Sequence, residues 1–141
     1  MGRTILVLVG VVFLTCAVGV RAHHSYADFL NETASIEGRL EKVEWANPHT
    51  ILTVRTKDST AYTAIWSPAA QLNRVGVKPT ALRTGDVLVV SGKPHRDPAV
   101  HQLATLTGVR RLSDDWRWGY EGCQLVVTVN GENTRPPYRR C

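Results

Sequence analysis

Long apolar runs are scarce in this chain, and several familiar chemical signatures are missing from it altogether. The longest run, residues 5–14, falls well short of the roughly 20 residues that span a bilayer. Nothing later is apolar enough to try, so no transmembrane segment is expected once a leader is removed. No nucleophile sits beside a recognisable base, no glycine-rich phosphate loop occurs, and the carboxylates are scattered. An enzyme is therefore not expected. Blocks of like charge are absent too. The net charge of +5 is spread along the chain, and Arg39, Lys42, Arg55 and Arg74 are not interleaved with aromatics. A single-strand platform needs that interleaving, so nucleic acid is not an expected partner. The chain has three cysteines and no histidine near the two C-terminal ones, which argues against a cysteine metal centre. Internal repeats and low-complexity linkers are also missing.

What is present begins at the N-terminus. Gly2-Arg3 gives a short charged start, the apolar run follows, and Val20-Arg21-Ala22 places small or aliphatic residues three before and one before His23. This is the pattern of a signal peptide over residues 1–22, cut after Ala22. The expected location is periplasmic or secreted. Cys16 follows Phe13-Leu14-Thr15, an unsuitable lead-in for a lipidated cysteine. Removal of the leader takes Arg3 and Arg21 with it and lowers the net charge of +5 by two. Cys123 and Cys141 survive. In an oxidising compartment their natural use is a disulfide closing the C-terminal tail, for which chain entropy gives roughly 3 kcal/mol.

The remaining residues suffice for one domain with one core. Residues 35–45 read as a strand whose apolar phase changes. Ile36 and Leu40 share one face and Val43 and Trp45 the other, so a bulge is expected near Glu41-Lys42, with Gly38 easing the bend. Asn47-Pro48 marks a turn. Residues 50–56 and 61–66 are the next strands. Ser67 reads as an N-cap with Pro68 at the first helical position, Leu72 and Val75 as anchors, and Gly76 as the stop. Residues 87–90 and 102–112 supply two further strands. Three strands, a short helix and two strands is the order of a mainly β, OB-fold-like barrel; a split β-sandwich is the competing arrangement.

Residues 23–112 form that barrel domain and residues 113–141 a C-terminal β appendage. In the appendage Trp116, Trp118 and Tyr120 are expected to pack on the barrel. Residues 123–129 alternate as a strand, and Asn130-Gly131 is a strong hairpin signal. Pro136-Pro137 restricts the return strand to a short or edge position.

Three stretches resemble one family of exported bacterial proteins, the domain-of-unknown-function family 6152. His23-His24-Ser25-Tyr26 resembles its His-His-Ser-aromatic start. Val43-Glu44-Trp45-Ala46-Asn47-Pro48-His49 resembles its Val-Glu-Trp-x-Asn-Pro-His signature. Leu82-Arg83-Thr84-Gly85-Asp86-Val87 is similar to its Leu-Lys-Pro-Gly-Asp turn, with Thr84 in place of proline. Trp66-Ser67-Pro68 and Leu72-Asn73-Arg74-Val75-Gly76 are similar to its connecting helix, with Ala69 where the family has asparagine. The likeness runs over residues 23–112 and implies export and a small β-barrel, with no activity attached. The tail lies outside it, so the site is not expected to depend on the tail.

Two readings of the site follow. In the first, His23 becomes the mature N-terminus. Its α-amine, of pKa about 8, and its imidazole, of about 6.5, deprotonate readily enough to chelate a metal. Copper(II) favours nitrogen donors in tetragonal geometry, and His24 or the outward-facing His49 would add an imidazole. A cut one residue earlier would place a histidine third, another copper-binding arrangement. The expected function is a non-enzymatic binding domain with copper held by His23, His24 and His49. In the second reading the module is metal-free. It recognises an extracytoplasmic saccharide or protein partner across a face carrying Trp45, Asn47 and Trp66. His95 and His101 read as ordinary surface residues.

Overall fold

One bend in the first strand organises the molecule, which a computed structural model describes over residues 26–141. Strand β1 spans Ala34–Glu44. Up to Leu40 its even-numbered residues turn inward, and beyond it Val43 and Trp45 take the inward phase. The ladder to β2 (Ile51–Thr56) slips between Leu40 and Lys42, leaving Glu41 as the extra residue. An extra residue is the way a period-two strand can change the face it buries. The bulge thus lies where the change of apolar phase predicts it.

The bend lets β1 serve two neighbours. Residues 34–39 pair with β4 (Val87–Pro94), whereas residues 38–44 pair with β2. Gly38 stands where the two ladders overlap, and a β-carbon there would run into the carbonyl oxygen of Arg55. Only glycine permits that approach. β2 continues antiparallel into β3 (Ala61–Ile65), and β4 into β5 (Gln102–Arg111). A short parallel pairing of Thr63 and Ala64 with Gln102 and Leu103 closes the ring. The circuit β1-β2-β3-β5-β4-β1 is that of an OB-fold-like barrel. The parallel closure is what distinguishes it from a split sandwich.

Helix α1 (Ala69–Arg74) joins β3 to β4 and buries Leu72 against the barrel core. It starts one residue later than Ser67-Pro68 suggests. Pro68 occupies the cap position without a capping side chain. The Ala69 and Ala70 N–H groups instead find the Ala46 carbonyl and Asn47 Oδ1, both at 3.1 Å. At the other end Gly76 adopts φ +90°. Its N–H donates to Asn73 O and that of Val77 to Leu72 O, the double bond of a Schellman stop.

Strand β4 runs on to Pro94, beyond the Val90 at which its apolar run ends, because a register shift between Ser91 and Lys93 carries the pairing past Gly92. Ser91 faces Gly108 and Lys93 faces Ala104, so β5 carries two more residues than β4 across this step. Thr105, within the excess, sits at φ +49°. A β-branched residue in that region is strained.

Three strands lie outside the ring, in the order β5-β6-β7-β8: β6 (Arg117–Glu121), β7 (Gln124–Val129) and β8 (Glu132–Thr134). β5 pairs with β3 near its start and with β6 at Gly108–Arg110, so it changes partner midway. Asn130 and Gly131, at φ 52° and 79°, make the β7–β8 turn. Trp116, Trp118, Leu125 and Val127 join the barrel residues in one buried cluster. Cys123 and Cys141 form the expected disulfide, with Cα atoms 5.4 Å apart. Among the described residues no helix is long and apolar enough to cross a membrane.

Candidate functional site: a cationic cavity at the barrel rim

The loop after β1 carries Trp45, Asn47, Pro48 and His49, and it is clamped to the turn after β3. Thr50 N–H donates to Ser67 O at 3.2 Å, and Trp66 N–H to Thr50 O at 2.8 Å. The Asn47–Pro48 peptide is cis. With Asn47 Oδ1 committed to Ala70 N–H, the Asn-Pro turn and the start of α1 form one unit. This gives Asn47, read as a ligand contact, a place in the architecture.

Trp66, read as part of an exposed binding face, is buried, with 2% of its surface exposed. Half-buried Trp45 meets it edge-on with ring centroids 6.4 Å apart, and Trp118 meets it at 5.2 Å. Aromatic rings favour such T-shaped contacts. The file continues through Tyr120, 5.8 Å from Trp118, to Arg140, whose guanidinium carbon lies 4.9 Å from the Tyr120 centroid. Trp66 is a wall between barrel and tail, and its indole N–H is buried with no acceptor among the described residues.

On this wall opens a cavity of about 470 Å³, within the size range of small-molecule sites. His49 lines it together with Tyr26, the first described residue. Ile65, Trp66, Pro68 and Leu106 give it apolar walls, and Ser67, Gln71 and Thr105 add polar groups. Among the described residues its full cations are Lys93 and Arg140, and no carboxylate lines it. The excess residues of β5 shape one side. The Leu106 carbonyl, next to strained Thr105, accepts from Arg140 Nη1 at 3.0 Å. Bulges at barrel rims commonly re-aim side chains in this way. Arg140 belongs to the tail, beside the disulfide, so the tail contributes to the cavity that holds His49. The carboxyls held below their usual range lie elsewhere: Glu41 beside Arg55, Asp58 beside Thr56 and Asp114 beside Arg111.

Of the sequence-derived metal set, His49 is placed on the cavity, while His23 and His24 lie outside the described residues. Among the described residues no three His, Cys, Asp or Glu side chains converge as a metal would require. His95 and His101 sit apart from the cavity. His95 Nδ1 accepts from Asp97 N–H at 3.1 Å, and its ring meets Phe29 edge-on; His101 leans on Tyr62. Lys93, Thr105 and Arg140 escaped sequence reasoning. They come together only through the β5 bulge and the path of the tail, neither of which has a local sequence pattern.

Fold and site thus define a small closed β-barrel domain with a cationic cavity at its rim and three added strands. The family of unknown function DUF6152 matches residues 11–104, and the chain belongs to that family. A comparison with curated proteins finds no match.

Proposed function

We propose that this chain is an exported, non-enzymatic binding domain whose mature N-terminus, His23, holds copper at the rim cavity together with His49. The observation that carries the reading is the shared cavity: Tyr26, three residues after His23, lines it alongside His49. Three residues of extended chain reach at most about 11 Å, and two about 7 Å. The α-amine and imidazole of His23, and the imidazole of His24, are thus tethered within that reach of Tyr26, which shares the cavity with His49. Described residues alone do not assemble a donor set, so the amine and at least one N-terminal imidazole must complete it. All of these donors are nitrogen, the preference of copper(II). The bound ion would require deprotonated ligands, so its affinity should fall as pH drops below the imidazole range.

The test compares correctly processed protein with a form carrying one extra N-terminal glycine. Copper titration followed by visible absorption should show weaker binding and a shifted band for the extended form. Equal affinity and the same spectrum would remove the amine from the site and overturn the reading. The metal-free alternative, recognition of a saccharide or protein through Trp45, Asn47 and Trp66, has less support. Trp66 is buried and Asn47 is committed to α1.

A further inference from the structure

The rim cavity differs from four other concavities in its lining: each of those includes at least one carboxylate, and the described lining of the rim cavity includes none. On the face of β4, β5 and β6, Arg117 is matched by Glu121 at 2.7 Å. Near α1, Arg111 is matched by Asp86 at 3.3 Å and by Asp114 at 2.8 Å. Beside β1, Arg55 is matched by Glu41. Among the described residues of the rim cavity no carboxylate accompanies Lys93 and Arg140. Lys93 Nζ reaches only the neutral Asn31 amide oxygen, at 3.4 Å.

Arg140 is also held in place. Nη1 is tied to the Leu106 carbonyl, and the Tyr120 ring supports the guanidinium plane. A guanidinium has five N–H donors, and its single bond among the described residues leaves the others for a ligand. A fixed planar fork suits a carboxylate, which it can bind through two parallel hydrogen bonds. Beside it stand the half-buried apolar surfaces of Ile65 and Pro68, which an inorganic ion would leave unused. The backbone strain at Thr105 points the same way, since strain of this kind gathers at ligand sites.

From this we infer that the rim cavity binds a small organic acid, its carboxylate on Arg140 and Lys93 and its carbon skeleton against Ile65 and Pro68. Metal plays no part in this binding.

The experiment uses the full mature chain, stripped of metal on a chelating resin, at constant ionic strength. Benzoate and sulfate serve as probes, followed by NMR shifts and calorimetry. Benzoate should bind saturably, more tightly than sulfate, and should show transfer to the Ile65 methyl groups. Arg140→Gln should weaken benzoate about tenfold or more, as loss of a charged hydrogen bond does. Arg140→Lys should fall between, and Arg139→Gln, one residue away and off the cavity, should leave binding unchanged. Equal losses in Arg139→Gln and Arg140→Gln would reduce the effect to general surface charge and overturn the inference. So would tighter binding of sulfate, or benzoate binding without contact to those methyl groups. The methyl contacts are read on the unmodified chain, so they decide the matter even if a variant folds poorly. Failure here with an intact copper titration would remove the acid site alone, and the reverse result would remove copper alone.

Discussion

Replacing Trp118 with alanine tests whether barrel and tail share a single core. The side chain is 2% exposed and lies between Trp66 and Tyr120. A tryptophan buries on the order of 150–250 Å². At about 25 cal/mol per Å² that is roughly 4–6 kcal/mol, an upper estimate because a denatured chain already covers some of this area. The two edge-to-face contacts add to it at about 0.5–1.5 kcal/mol each. Against them stands the indole N–H, which is buried with no acceptor among the described residues; its removal relieves a cost of about 1–3 kcal/mol. The net expectation is a loss of about 3–5 kcal/mol, the usual range for a large aromatic cut to alanine in a core. Urea unfolding followed by fluorescence and far-ultraviolet dichroism should show one transition, moved to lower denaturant. Amide exchange should speed up in β1 and β2 as well as in β6 and β7. A loss below about 1 kcal/mol would refute the reasoning, as would faster exchange confined to residues 113–141.

Gly38→Ala should destabilise by about 1–3 kcal/mol, the usual cost of overpacking, because the new methyl group meets the Arg55 carbonyl. An unchanged urea midpoint would mean that the β1–β2 spacing relaxes freely. Acid should weaken the fold in a defined window. The carboxyls of Glu41, Asp58 and Asp114 are held low in the folded chain, by Arg55, Thr56 and Arg111 respectively. Their contribution is complete above the unfolded carboxylate pKa of about 4 and is lost as pH falls through the lower folded values. The thermal midpoint should hold from neutrality to about pH 5 and then drop, less steeply in Asp114→Asn; a midpoint constant down to pH 3 would contradict this.

Much of the barrel was legible because its signals are local. The change of apolar phase between Leu40 and Val43 is the β1 bulge, and Gly76 stops α1 where a left-handed residue is needed. Strand β6 went unread although Trp116, Trp118 and Tyr120 alternate with period two, because aromatics at that spacing also suit a packed loop. Ser67 looked like the cap of α1, yet the cap is delivered from Asn47, 23 residues earlier. Of the candidate site residues read from the sequence, His49 and Trp66 line the cavity. Lys93 and Arg140 meet there through strand register and the course of the tail, and their separation in sequence carries no sign of that meeting. Trp66 misled for a related reason: its place at a loop junction suggested exposure, but Trp118 arrives from the tail to cover it.

The change of partner along β5 bears on how members of the family can differ. The shared stretch ends at residue 104, inside a strand that runs to Arg111. Its last part completes its hydrogen bonding with β6, at Gly108, Val109 and Arg110. A relative that kept the shared stretch but ended soon after β5 would expose those backbone groups along with the apolar surface that Trp118 covers here. Bare edges of this kind invite pairing with another chain. Lineages without these added strands must protect the seam by other means, with a charged or proline-bearing end, a shortened β5, or a second copy of themselves. The strands beyond β5 thus carry one physical task, the covering of this seam.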